Sequence, residues 1–245
     1  MVDDAPMAVV TGGGRGIGAA ISTRMAQEGH RVLLTYNSDS RSAEAVVEAI
    51  RGSGGDAFAA KVDCGLPAEI RVLAEHPWCE AGIDVLVLNH GYYERIQAGE
   101  LDDERLRSTM EVNFFGAFGV WESLRDNLTK DARIVVIGSQ LGVRGSAHGA
   151  HYAASKAALS TWARSLALDA GPSGQRVNVI APGYIQTAIL AGDSAEKTSQ
   201  REAEVPLRRL GQPEDVAGVV SFLCSSDSAY VTGAVIHVNG GLFLP

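Results

Sequence analysis

The 245-residue chain is poor in cysteine, in positive charge and in long apolar runs, and each shortage excludes something. Its three cysteines, Cys64, Cys79 and Cys224, lie far apart without metal-ligand spacing, and an odd number cannot complete a disulfide framework within one chain. A reducing compartment, the cytoplasm, suits them. Lysine and arginine number 21 against 29 aspartate and glutamate, a formal charge of −8. Such a chain repels phosphate backbones and anionic membranes, whose affinity rests on cationic contacts, so neither nucleic acid nor membrane is an expected partner. No apolar run approaches the roughly 18 residues of a membrane span, and the start Met1-Val2-Asp3-Asp4 lacks the cationic region of a signal peptide. No proline-rich linker, low-complexity tract or internal repeat divides the chain, so residues 1–245 read as one domain.

What is present is a recurring pattern. Short β-branched runs occur at Met7–Thr11, Val32–Thr35, Phe58–Val62, Val85–Leu88, Ile134–Ile137, Val177–Ile180 and Val235–Val238, separated by stretches long enough to be crossover helices. Nearly continuous apolar runs suit strands buried on both faces. The fold expected is α/β: a single Rossmann-type doubly wound domain, a seven-stranded parallel sheet with helices on both faces. Between the second and third runs, Ala43, Val46, Val47 and Ile50 share one helical face, and Gly52, Gly54 and Gly55 end that helix. Residues Asp102 to about Lys130 read as one or two helices, unusually aromatic through Phe114, Phe115, Phe118 and Trp121. The polar, irregular stretch 183–209 leaves the end of the sixth strand, where open α/β sheets bind ligands, and reads either as a mobile substrate flap or as an ordinary surface loop.

Thr11-Gly12-Gly13-Gly14-Arg15-Gly16-Ile17-Gly18 follows the first strand and opens a helix. Glycine lets backbone approach a phosphate closely, and the amides and dipole at a helix start favour negative charge. Gly12, Gly14, Arg15, Gly16, Ile17 and Gly18 are therefore candidates to hold a dinucleotide pyrophosphate, although the spacing T-G-x-x-x-G-x-G departs from the common G-x-G-x-x-G. An acidic residue about 20 positions further on would bind the ribose 2′-hydroxyl of NAD. Here the second strand ends Tyr36-Asn37-Ser38, without one. Arg15 and Arg41 can instead pair with a 2′-phosphate, which favours NADPH/NADP over NADH despite Asp39 nearby.

Tyr152 and Lys156 stand four apart at the start of an alanine-rich helix, where Cβ atoms lie about 5 to 6 Å from each other. An ammonium so placed is expected to lower the phenol pKa and make Tyr152 a proton donor or acceptor near neutrality. Ser139, after the fifth strand, can hold a carbonyl oxygen.

With the glycine turn, these residues resemble a classical short-chain dehydrogenase/reductase over almost the whole chain. Further motifs agree: Asn89-His90-Gly91, Asn113, Ser139 thirteen residues before Tyr152, and Pro182-Gly183. The segment Val205 to Ala217 resembles the 3-oxoacyl-[acyl carrier protein] reductase branch. The resemblance implies a catalytic tetrad of Asn113, Ser139, Tyr152 and Lys156, with Asn113 anchoring a water-linked proton relay. It also implies cofactor contacts at Val62 and Asp63 beside the adenine, at Asn89 and Gly91, and at Ile185 and Thr187 near the carboxamide. A homotetramer is implied, the aromatic helix and the last strand supplying interfaces, against the alternative that those aromatics fill the core.

Against the family pattern His90 replaces a usually small residue, and the expectation is altered packing beside the cofactor path, narrowing it, rather than new chemistry. Gln140, Tyr92, Tyr93, His148 and His151 are candidate substrate contacts by position, with Arg95 near the entrance. Two histidines three apart do not make a metal site where no acidic or thiol partner shares the segment, so no metal is expected. The substrate reads as a small-molecule ketone or an acyl thioester, carried or not on a carrier protein. An acidic carrier would need a local basic patch, for which Arg125, Lys130 and Arg164 are candidates. The competing readings are an NAD-dependent alcohol or sugar dehydrogenase and a non-catalytic dinucleotide-binding regulator.

Overall fold

The computed structural model describes residues 5–245, so the start Met1–Asp4 lies outside the described residues. Seven strands form one parallel sheet: β1 (Met7–Val10), β2 (Arg31–Tyr36), β3 (Ala57–Lys61), β4 (Ile83–Leu88), β5 (Leu128–Ile137), β6 (Arg176–Pro182) and β7 (Val235–Val238). Their order is β3-β2-β1-β4-β5-β6-β7, so the chain runs outward from β1 in one direction and then, from β4, in the other. The reversal leaves a crevice beyond the carboxyl ends of β1 and β4, the place where such sheets bind ligands.

Side-chain alternation builds two apolar layers. Val9, Leu33, Leu86, Leu88, Ile134 and Val136 pack on one face, whereas Ala8, Val10, Leu34, Val85, Val87 and Val135 pack on the other. Helices cover both: α1 (Gly16–Gln27), α2 (Ser40–Gly52), α3 (Pro67–Ala74), α4 (Pro77–Glu80), α5 (Asp103–Met110), α6 (Gly116–Leu124), α7 (Leu141–Arg144), α8 (Ala150–Ala170), α9 (Ala195–Glu204) and α10 (Pro213–Cys224). Ala43, Val47 and Ile50 of α2 are buried as their spacing requires. The helix starts two residues earlier than its apolar face shows, because Asp39 caps it by accepting from the Ser42 amide at 3.0 Å.

The aromatic stretch differs from expectation. Its helix is broken by a π-type turn at Glu111–Phe115, ends at Leu124, and passes through a short 3-10 turn into β5 already at Leu128. The first residues of β5 include exposed Lys130 and Asp131, so no apolar run announces that end of the strand. Phe114, Phe118 and Trp121 meet Trp162 of α8 at ring distances of 5.7 to 6.5 Å and extend one core layer, while Phe115 is half exposed. Among the described residues, no helix is long and apolar enough to cross a membrane.

Candidate active site

The crevice begins where β1 ends. The Thr11 hydroxyl donates to the Val87 carbonyl and accepts from the amides of Asn89 (2.9 Å) and His90 (3.2 Å), locking the ends of β1 and β4 together. Asn89 Nδ2 donates to the carbonyls of Thr11 and Gly12, both at 3.0 Å. The chain then turns with φ of +61° at Gly12 and +51° at Gly16, backbone conformations that favour glycine. A Cβ on Gly18 would stand 2.1 Å from the Gly12 carbonyl oxygen, so the turn closes only with hydrogen there. α1 starts with no side-chain cap from Arg15, and its first residues line the cleft. Unsatisfied first-turn amides facing open space fit a diphosphate.

One cleft of about 870 Å³ joins this turn to the catalytic candidates. Tyr36, Asn37, Ser38, Val62, Asp63, Asn89 and Gly91 line it on the glycine-turn side; Ser139, Gln140, Tyr152, Lys156, Pro182, Gly183, Ile185 and Thr187 line the rest. Arg15 lines it as well. Arg41 does not, because it lies exposed in the first turn of α2, while Asp39 at that edge is turned onto Ser42, whose hydroxyl and amide hold the carboxyl below its usual range.

Burial decides the electrostatics of the reactive groups. Lys156 is 2% exposed, donates from Nζ to the Ile137 carbonyl at 2.8 Å, and is pushed down to about 8 by desolvation. Its Nζ stands 5.7 Å from the centroid of the Tyr152 ring. The phenol itself is not lowered, contrary to expectation. Burial pushes Tyr152 up to about 12, a polar contact with the Ser139 hydroxyl works against that, and Tyr93, edge-on at 5.1 Å, adds to it. Ser139 Oγ also accepts from the Leu141 amide at 3.1 Å, which fixes its place at the start of α7.

Asn113 lies behind the cleft wall, fully buried in the π-type turn. Its Oδ1 accepts from the Tyr92 amide at 2.6 Å; its Nδ2 donates to the Tyr92 carbonyl at 2.9 Å and to Ser155 Oγ at 3.0 Å. The side chain therefore clamps the loop after β4 against α8. His90 fills the adjoining space: Nδ1 lies 2.8 Å from Thr11 Oγ1, and burial, with Lys156 nearby, holds the imidazole down to about 4 and neutral at pH 7.

Tyr92, Tyr93 and Arg95 line the cleft, but His148 and His151 do not. His151 is wholly buried with neither ring nitrogen bonded, and His148 serves through its backbone carbonyl, which accepts from the Ile96 amide at 3.2 Å. Standing next to Tyr152 in sequence places His151 on another side of α8. Asp193, Lys197 and Arg201 line the mouth without having been anticipated. Asp193 accepts from Arg201 at 2.5 Å and lies 3.6 Å from Lys197; the i, i+4 spacing of Asp193 and Lys197 was the available signal. Among the described residues, no three histidine, cysteine or acidic side chains gather as metal ligands.

A family model described as enoyl-(acyl carrier protein) reductase matches residues 12–243. The 3-oxoacyl-[acyl-carrier-protein] reductase of Escherichia coli (strain K12) is 34% identical over 241 residues, covering 97% of each chain. Among solved structures, a blue fluorescent protein from a metagenomic library in complex with NADPH superposes with a TM-score of 0.91 at 37% identity over 98% of both chains. A short chain dehydrogenase from Burkholderia cenocepacia J2315 in complex with NADP gives 0.91 at 34% identity, over 97% of both.

Proposed function

The chain belongs to the short-chain dehydrogenase/reductase family and resembles its 3-oxoacyl-[acyl carrier protein] reductase branch, and on that premise we propose that it reduces a ketone with NADPH, Tyr152 giving the proton. The observation that carries this reading is the convergence of Ser139, Tyr152 and Lys156 in the same cleft as the uncapped glycine turn. A dinucleotide-binding regulator needs the turn but not those three side chains. The NADPH and NADP complexes of two relatives, with Arg15 and the acid-free end of β2 in the cleft, support the phosphorylated cofactor.

Bound NADPH supplies the hydride that adds to the carbonyl carbon. The chain's own residues manage the oxygen. Ser139 Oγ donates to it and fixes its direction, and Tyr152 transfers its phenolic proton as negative charge develops there. A phenol near 12 stays protonated at neutral pH, and the alkoxide it meets is more basic still, so the transfer runs downhill. Lys156, held by Ile137 and beside the phenol ring, steadies the phenolate left behind and positions the nicotinamide ribose. Asn113, its side-chain amide committed to Tyr92 and Ser155, anchors a water-linked proton relay in this reading.

Residues 183–209 act in this reading as the substrate flap, since Ile189, Leu190, Lys197 and Arg201 all face the cleft. The substrate is a 3-oxoacyl thioester or a polyketide-type ketone, and the half-exposed Phe115 and the edge strand β7 form interfaces of a homotetramer. The deciding experiment follows NADPH absorbance after adding an acetoacetyl thioester, a bicyclic ketone or a simple sugar. Ketone-dependent loss is expected. Absorbance that never changes favours the regulator, and faster turnover with NADH than NADPH refutes the cofactor assignment. Light scattering tests the tetramer.

A further inference from the structure

Away from the glycine turn, and apart from Lys156, the charged residues lining the cleft are Arg95 from the loop after β4 and Asp193, Lys197 and Arg201 from the flap. Three cations against one acid leave an excess of two positive charges, in a chain whose formal charge is −8. The one acid is shared. Asp193 accepts from Arg201 Nε at 2.5 Å, and its other oxygen lies 3.6 Å from Lys197 Nζ. Arg95 is exposed and has no acidic partner among the described residues, because the neighbouring Glu94 accepts from the Tyr92 hydroxyl and faces Arg105. Arg201 is held in place: its side chain is 16% exposed, and its Cζ lies 4.5 Å from the centroid of the Tyr184 ring, whose hydroxyl donates to Glu204 at 3.2 Å. Asp193 takes Nε alone, and the two terminal nitrogens, side by side in one plane, meet no second carboxylate among the described residues. Tyr184 stands two residues after Pro182, whose carbonyl accepts from the Gln140 amide at 3.2 Å, next to Ser139. The guanidinium therefore rests on the segment that borders the reacting end of the cleft.

We propose that Arg201 is a specificity-determining residue that reads a carboxylate on the substrate, separate from the ketone, with Lys197 and Arg95 adding to the attraction. This rests on the ketone-reductase reading above and narrows its substrate to oxo acids. A salt bridge that only fastened the flap would need one cation for its one acid. Two cations on Asp193, and a third across the cleft, leave positive charge that a cleft wall focuses on an anion entering it. A guanidinium fixed on an aromatic ring, with a planar pair of donors to spare, suits the two oxygens of a carboxylate better than any neutral group. Asp193 then acts in two senses, orienting the guanidinium through Nε and repelling the acid that approaches its other edge.

The test measures kcat/KM with NADPH for straight-chain methyl ketones that end in a carboxylate, over a series of chain lengths, and for the methyl ester of each. The ratio of acid to ester is taken in the wild type, Arg201→Gln, Arg95→Gln and Asp193→Asn. A ratio within each protein cancels any general loss of activity. The wild type should prefer the acid at one or more lengths, and less so as salt rises. Arg201→Gln should lower that ratio about tenfold, mainly by raising KM for the acid, and Arg95→Gln should lower it less. Asp193→Asn should raise it. Opposite signs separate charge reading from fastening: if the ion pair only fastens the flap, breaking it from either side harms acid and ester alike. If Arg201→Gln does not fold, Asp193→Asn still decides. A wild type that favours the ester at every length, or variant ratios that stay at the wild-type value, would overturn the role of Arg201 and leave ketone reduction standing. A wild type that consumes no NADPH with any of these ketones overturns the underlying reading, and this inference with it.

Discussion

Replacing Lys156 by methionine should change how the stability of this protein depends on pH, and the size of the change follows from its burial. The ammonium is lowered from 10.5 to about 8 by desolvation, while in the unfolded chain it titrates near its ordinary value. Between those two values the unfolded chain binds more protons than the folded one, so stability rises with pH by about 1.4 kcal/mol per unit. Below pH 8 both states are protonated and the buried charge costs the fold about 3 kcal/mol. Cys64, Cys79, Cys224 and Tyr152 are all pushed up to about 12 and act in the opposite sense, each keeping in the fold a proton that the unfolded chain releases at lower pH. They are common to both proteins and cancel in the difference. The bond from Lys156 to the Ile137 carbonyl is lost in the variant, an offset that does not vary with pH once the two curves are compared. Urea unfolding of wild type and Lys156→Met from pH 7 to 9.5 should therefore show the difference moving by about 2 kcal/mol in favour of the wild type. A difference that is constant, or that moves the other way, would refute the account of a desolvated ammonium beside the phenol.

Asn113→Ala removes three hydrogen bonds that join the loop after β4 to α8, and should cost about 2–4 kcal/mol by denaturant midpoint; an unchanged midpoint would show that the clamp contributes nothing. Arg15→Ala should raise KM for NADPH about tenfold and leave KM for NADH nearly as it was. Equal effects on both cofactors would remove Arg15 from 2′-phosphate recognition. Gly18→Ala forces a methyl group against the Gly12 carbonyl, 2.1 Å away, and should abolish NADPH binding or folding; a variant that binds NADPH normally would contradict the closed turn.

The sheet was legible because each strand is buried on both faces and so carries a β-branched run, and the intervals between runs leave room only for parallel crossovers. The start of β5 was not, since Lys130 and Asp131 lie exposed and look like the end of a helix. Similarly, the π-type turn at Glu111–Phe115 interrupts a helix without any proline or glycine to mark it. Within the proposed site, the glycine turn before α1 and the four-residue spacing of Tyr152 and Lys156 on α8 are local geometry, which a sequence carries directly. Arg41, His148 and His151 do not line the cleft, because nearness in sequence does not say which side of a helix, or of the turn before it, faces that space. The work of the Asn113 amide depends on Tyr92 and Ser155, 21 and 42 residues away. The sign of the Tyr152 shift was misjudged because four-residue spacing shows that a cation is near but not how strongly the surroundings desolvate the phenol.

Proton donation by the Tyr152 phenol to the reduced carbonyl is the step on which the proposed reaction depends. Tyr152→Phe removes one oxygen and little else, so the measurement is kcat with a ketone that the wild type accepts, alongside the dissociation constant for NADPH by fluorescence titration. Loss of turnover by about 10²–10⁴-fold with NADPH affinity held within about twofold is the expected result. Turnover retained at the wild-type level would contradict the claim.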